Sequence, residues 1–169
     1  MTADSFFYFA YGSNMPTARI RARCPSAAAV GIAELSGHEL RWHKRSIDGS
    51  GKCDVVTSDA HDACVFGVIY EIAQSERAKL DAVEGNGYEA VQTEVHCGAR
   101  SLTTTLYRAK AADPTLRPYS WYRDLVIAGA KEHGLPEFYL SALQAVPANQ
   151  DPDGARHSAN LALIEGARA

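Results

Sequence analysis

The chain has 169 residues, a formal net charge of −3, 22% charged residues and 46% hydrophobic ones. That length fits one domain with a buried core, and the balance of apolar and charged residues excludes an intrinsically disordered chain. No apolar run reaches the length of a membrane-spanning helix, and a mildly acidic chain without a basic stripe gives nucleic-acid binding no support. The start, Met1-Thr2-Ala3-Asp4, has neither the positive region nor the apolar segment of a secretory signal, so a cytosolic protein is expected. Cys24, Cys53, Cys64 and Cys97 are widely spaced and form no Cys-x-x-Cys pair. In a reducing compartment they read as small core residues, not as disulfides, zinc ligands or a redox pair.

The predicted elements begin with Phe6-Phe7-Tyr8-Phe9-Ala10, an aromatic and apolar run that reads as a strand buried on both faces. It breaks at Tyr11-Gly12-Ser13-Asn14. Gly12 permits a tight turn, Ser13 and Asn14 are helix N-cap types, and Pro16 suits the first turn of a helix continuing through residues 19–23 until Pro25 stops it. Strand, turn and helix start together leave backbone N–H groups pointing outward, which cradle an anion or a polarised carbonyl oxygen; an ordinary capped turn has the same signature. Residues 27–35 and 38–44 read as two strands of a hairpin around Ser36-Gly37. Residues 45–52, Arg-Ser-Ile-Asp-Gly-Ser-Gly-Lys, read as a mobile polar loop. Its Gly49-Ser50-Gly51-Lys52 fails as a phosphate-binding loop, because Ser46 stands where the first glycine belongs and Cys53 where Ser or Thr is required. Lys44, Arg45 and Lys52 are candidates for contact with an anionic substrate; a solvated hairpin tip is the simpler reading.

Residues 65–72 read as a strong strand, and Ser75 as the cap of a short helix to about residue 83. Glu84 falls four residues after Leu80 and beside Val83, on the apolar stripe, and Gly85 stops the helix. Both the helix dipole and desolvation oppose a carboxylate charge there, and a residue that breaks local rules marks a functional position. The structural alternative is an ion pair with a nearby Arg or Lys. Residues 88–96 and 101–109 form a second antiparallel pair around Gly98, and residues 113–118 are a linker. Ser120 caps a helix over residues 121–133 ended by Gly134, Pro136 opens another to about residue 145, and a last helix covers residues 157–167. Strands and helices that are grouped more than alternated give an α+β fold, a curled mixed sheet or barrel flanked by helices, as a single domain over residues 1–169. His38, His43, His61, His96, His133 and His157 show no metal-ligand spacing, and no Gly-x-Ser-x-Gly elbow supports a serine hydrolase.

A strand ending in Tyr11-Gly12-Ser13-Asn14, followed about seventy residues later by a helix ending Leu80-Asp81-x-x-Glu84-Gly85, resembles the γ-glutamylcyclotransferase family. The segment Gly129-Ala130-Lys131-Glu132-His133-Gly134-Leu135-Pro136 is also similar to one found in its members, so the resemblance runs from Phe6 to Val146. It implies the γ-glutamylcyclotransferase-like fold and a cofactor-free, metal-free enzyme that cyclises a γ-glutamyl group to 5-oxoproline, releasing an amino acid or amine. Carried over residue by residue, Tyr11, Gly12, Ser13 and Asn14 cradle the γ-glutamyl group and Glu84 is the catalytic acid/base. Tyr88, Tyr107 and Tyr122 fall near positions of pocket tyrosines, with a shorter link from Gly85 to Tyr88 than in vertebrate-type members. The implied partner is a small γ-glutamyl compound, without nucleic acid or membrane; a homodimer is left open.

The chemistry agrees with the independent reading of Glu84. A substrate α-ammonium must lose a proton before it attacks its own γ-carbonyl, and the departing nitrogen must gain one; a single carboxyl with a raised pKa serves both steps. The Gly12–Asn14 backbone would hold either the substrate carboxylate or the developing oxyanion. Ser13 has no base partner and so is expected to hold substrate, not to attack it. Each tyrosine hydroxyl either reaches Glu84 or the substrate, or packs as core. Residues 42–52 are expected to shape the leaving-group side, where relatives on this fold differ in accepting γ-glutamyl-amino acids, γ-glutamyl-amines, glutathione or a masked biosynthetic intermediate. The reading from another class is a binding module that keeps the pocket without turnover.

Overall fold

The computed structural model describes residues 4–166. In chain order the elements are β1 (Ser5–Ala10), α1 (Thr17–Arg23), β2 (Ala28–Ser36), β3 (His38–Arg45), β4 (Gly51–Thr57) and β5 (Cys64–Ala73), then α2 (Arg77–Glu84), β6 (Tyr88–Cys97), β7 (Arg100–Ala109), α3 (Ser120–His133), α4 (Glu137–Gln144) and α5 (Gly154–Gly166). Five strands close into a barrel in the order β1-β5-β2-β6-β7, and β3 and β4 form a separate two-stranded sheet. All neighbouring barrel strands are antiparallel except β1 and β7, whose parallel pairing at Tyr8 and Thr105 closes the barrel. Closure leaves no unpaired barrel edge. The expected α+β barrel flanked by helices is what the chain forms.

Residue chemistry explains which strands lie deepest. On β1, Phe6, Tyr8, Phe9 and Ala10 are buried, and on β5 so are Val65, Phe66, Val68, Ile69, Tyr70 and Ile72. Both strands are covered on two faces, as their near-continuous apolar runs require. β6 alternates instead: Val95 is buried while Glu94 and His96 face solvent.

The two-stranded sheet corrects two sequence expectations. Ser36-Gly37 is a turn but not a hairpin: β2 stays in the barrel, paired to β5 as far as Ser36 and Cys64, while β3 leaves to pair with β4 from His38 and Thr57 to Arg45 and Gly51. β4 escaped the sequence reading because Gly51, Lys52 and Asp54 make it look like loop. Both of its charged side chains are buried, and both have partners. Lys52 Nζ donates to Asp48 Oδ2 and Ser50 Oγ, each at 2.9 Å, and Asp54 accepts from His43 Nε2 at 2.7 Å and from the Ala109 N–H at 2.8 Å. Paired in this way, buried charges are tolerated inside a strand. Residues 45–52 are therefore not a mobile loop. Residues 46–50 form the β3–β4 turn, held by Asp48, which accepts from the Ser50 N–H (2.9 Å) and hydroxyl (2.7 Å), and by the Tyr119 hydroxyl on the Asp48 carbonyl (3.0 Å).

The expected caps also differ. α1 starts at Thr17 behind Pro16 without a side-chain cap, so Ser13 and Asn14 are released from that duty. Ser75 lies in a 3-10 turn before α2, and Ser120 is the first residue of α3 behind Tyr119. The final helix is α5, which starts at Gly154, earlier than expected. The expected end of that helix at Ala167, and Met1, Thr2 and Ala3, lie outside the described residues.

The stretch after β1 is anchored by α3. The Tyr70 hydroxyl donates to the Met15 carbonyl at 2.6 Å, and His133 Nε2 lies 3.1 Å from the same oxygen. Gly129 lets α3 approach: a Cβ there would stand 2.4 Å from Met15 Cβ and 2.9 Å from the Pro16 nitrogen. Gly129→Ala is thus an overpacking change against backbone, expected to cost about 1–3 kcal/mol. A lower urea midpoint with an unchanged m-value is the result to look for.

Candidate functional site

The turn after β1 and the end of α2 meet at one carboxylate. α2 carries Leu80 into the core and ends at Glu84, where Gly85 adopts φ 74°, a left-handed conformation that favours glycine. Asn14 Nδ2 donates to Glu84 Oε1 at 2.8 Å and lies 3.1 Å from the Tyr8 hydroxyl, which itself donates to Glu84 Oε1 at 3.3 Å. The other end of the amide, Asn14 Oδ1, accepts from Arg23 of α1. A guanidinium only donates and a carboxylate only accepts, so the amide has one possible orientation.

Beside Glu84 lies a cavity of about 40 Å³, lined by the Tyr11-Gly12-Ser13-Asn14 turn, Glu84, Cys53 and the tyrosines Tyr8, Tyr88, Tyr107 and Tyr122. Every residue carried over from the sequence is therefore in one place. Apart from that of Tyr8, the tyrosine hydroxyls are engaged, but not with Glu84. Tyr88 donates to the Cys53 carbonyl (2.7 Å), Tyr122 accepts from the Cys53 N–H (3.1 Å), Tyr107 donates to Asp81 Oδ1 (2.5 Å), and Tyr11 donates to the Tyr107 carbonyl. These bonds fix the rings as walls.

Tyr8, Arg23 and Cys53 were missed in the sequence. A signal existed for two of them. Tyr8 is a hydroxyl in an otherwise apolar buried run, and such a group needs a partner. Arg19 and Arg23 are four apart on a helix directly after the turn, so they share a face.

Burial raises the Glu84 pKa above its ordinary value, against the opposing pull of the Arg23 charge, the Tyr8 hydrogen bond, Lys44 and Arg19. Burial likewise raises Tyr8, Tyr11, Tyr88, Tyr107 and Tyr122, so each phenol stays neutral, and it pushes the Cys53 thiol up to about 12. A thiol held there is a poor nucleophile at neutral pH. Among the described residues no group of three or more His, Cys, Asp or Glu is placed to hold a metal ion.

A second cavity, of about 430 Å³, adjoins the first and shares Ser13, Glu84, Tyr88 and Tyr122 with it. Arg19, Arg23, Lys44, Lys52 and Arg156 line this outer basin, with Asp48 as its other acid. Lys44 Nζ stands 4.7 Å from the centre of the Tyr88 ring, and Lys52 Nζ 4.4 Å from those of Trp121 and Tyr122. Arg45 is the exception among the expected cations: it is exposed and paired with Asp113 at 2.5 Å, away from the basin.

The fold and the site define a small α+β barrel that closes a carboxylate-centred pocket sized for a small molecule. The model of the AIG2-like family matches residues 64–143. The chain is 30% identical to mouse γ-glutamylcyclotransferase over 167 residues, covering 87% of this chain and 81% of that protein, and 32% identical to the human one over 159 residues, covering 86% and 81%. A solved γ-glutamyl cyclotransferase structure superposes with a TM-score of 0.87 at 30% identity, covering 96% of this chain and 99% of that one. The chain belongs to the AIG2-like/γ-glutamylcyclotransferase family. Among the described residues no helix is long and apolar enough to cross a membrane.

The raised Glu84 pKa has a definite sign for stability. A carboxyl whose pKa is higher folded than unfolded favours the folded state below its unfolded pKa, and that favour is lost as pH rises through the folded value. Glu84→Gln removes the buried charge, so its melting temperature is expected to exceed the parent's at pH 7–8, with the gap closing as pH falls towards 4. Paired thermal melts across that range check the expectation.

Proposed function

We propose that this protein cyclises the γ-glutamyl group of small conjugates to 5-oxoproline and releases an amine, acting in the cytosol as a single cofactor-free domain with Glu84 as acid/base. The observation that carries this reading is the Glu84 carboxyl, half-buried with a raised pKa, held by Asn14 and Tyr8 at a cavity walled by neutral phenols.

Both hydrogen bonds to Glu84 fall on Oε1. Oε2 is then the oxygen that takes a proton from the substrate α-ammonium. The freed amine attacks the γ-carbonyl, forming the ring C–N bond, and the oxygen gains negative charge. Glu84 returns its proton to the departing nitrogen as the old C–N bond breaks, and the second proton of the ring nitrogen leaves with the released amine as its ammonium, so no water or co-reactant is consumed. Nucleophile and electrophile are already tethered, which leaves the pocket to fold the glutamyl chain and to stabilise charge. The Tyr11-Gly12-Ser13-Asn14 turn is the element positioned to hold the glutamyl head, with its backbone donors serving the carboxylate or the oxyanion.

Glu84→Gln is expected to lower 5-oxoproline formation from γ-glutamyl-amino acids by at least ~10²-fold. Since the same variant should remain folded, loss of turnover then reports chemistry. Near-normal activity in that variant would remove Glu84 from the acid/base role. Thermal stabilisation by γ-glutamyl compounds without any 5-oxoproline would favour the binding module instead.

A further inference from the structure

Size separates the two cavities by task. A cavity of about 40 Å³ corresponds to roughly three waters at ~10–15 Å³ each. That admits the head of a glutamyl chain and no more, so the departing portion of a conjugate lies in the adjoining basin of about 430 Å³.

The basin's charges do not balance. Lys52 is paired with Asp48 at 2.9 Å, and Arg156 with Asp151 at 2.5 Å, so these two cations are committed. Arg23 has no ion pair either, but its guanidinium is held by the Asn14 amide oxygen beside Glu84. Arg19 and Lys44 remain, and no ion pair joins either to a carboxylate among the described residues. Arg19 Nε is buried without a hydrogen-bond partner. Burial and the neighbouring Arg23 bring Arg19 down to about 10, and burial lowers Lys44 as well, yet both remain cations at neutral pH. Partly buried cations outside any ion pair, with Glu84 and Asp48 acting on them only at longer range, are complementary to anions brought by a ligand.

Resting on the cyclotransferase reading, we propose that the outer basin is the leaving-group subsite and selects conjugates whose released part is a dicarboxylic amino acid, with Arg19 and Lys44 as the selecting cations. In the conjugate the leaving nitrogen is an uncharged amide. A dicarboxylic leaving part therefore carries two negative charges and a neutral amino acid one, a lysine offsets its one carboxylate with its ammonium, and a simple amine carries none. Arg19 and Lys44, with the Arg23 charge behind them, match the first of these best.

The test uses the full chain with γ-glutamyl-glutamate, γ-glutamyl-alanine, γ-glutamyl-lysine linked through its α-nitrogen, and γ-glutamyl-butylamine, reading 5-oxoproline. The expected kcat/KM for the glutamate conjugate exceeds that for the alanine conjugate by about 10-fold, with lysine and butylamine lower still. Arg19→Gln and Lys44→Gln are each expected to cut the glutamate-to-alanine ratio by about 10-fold, chiefly through KM, with Arg19→Lys restoring part of it. Using both positions guards against one variant failing to fold. Equal kcat/KM for the glutamate and alanine conjugates, or a ratio unmoved in both Gln variants, overturns the subsite while leaving the cyclotransferase reading intact. No 5-oxoproline from any conjugate overturns that reading and the subsite with it.

Discussion

The hydrogen bond from Asn14 Nδ2 to Glu84 Oε1, 2.8 Å long, joins residues 70 positions apart and holds the site in register. Its amide is a joint with no freedom. Arg23 on one side can only donate and Glu84 on the other can only accept, so Asn14 locks the β1–α1 turn to the ends of two helices. The barrel supplies the frame for this joint. β1 delivers Tyr8 and the turn, β5 supplies the Tyr70 hydroxyl that holds the Met15 carbonyl, and α3 closes over the same segment at Gly129.

What could be read in the sequence follows from what each residue must do. β1, β5, β6 and β7 were legible because a strand buried on both faces needs continuous apolar residues and a half-buried one needs alternation. β4 was not, since Lys52 and Asp54 look solvent-seeking until their partners, Asp48 and His43, are placed across a turn and a neighbouring strand. The same limit hid the separate β3–β4 sheet, because Ser36-Gly37 signals a turn but says nothing about which strand lies across it. Asn14 and Ser13 carry a helix-cap signal that the fold leaves unused, freeing Asn14 for Glu84. The site residues along the Tyr-Gly-Ser-Asn turn and at Glu84 were legible through local rules and family resemblance. Lys44 and Lys52 were legible as candidate contacts for an anion, whereas Tyr8, Arg19, Arg23 and Arg156 were not, since their neighbours are assembled only once distant segments meet.

Glu84 is held between opposed effects, of which burial is the largest. Burial pushes its proton affinity up, while Arg23, Lys44 and Arg19 and the Tyr8 hydroxyl pull it down. A carboxyl in an apolar pocket without these cations would stay protonated, and one in a close ion pair would stay ionised. Asn14 stands between the two, accepting from Arg23 and donating to Glu84, while the Arg23 charge lowers the Glu84 proton affinity.

The inner cavity also confines proton transfer. Its lining holds five phenols that burial keeps neutral, a thiol pushed up to about 12, and side chains of Ser13 and Asn14 that do not titrate near neutral pH. Glu84 is the one group in that lining whose raised pKa moves it towards the neutral range rather than away from it. In the proposed reaction, acid–base chemistry in this cavity would therefore run through Glu84 in both directions. The cations Arg19, Arg23, Lys44, Lys52 and Arg156 line the outer basin and not the inner cavity. On the proposed reading, a site built this way would separate recognition of the departing group from the chemistry that releases it.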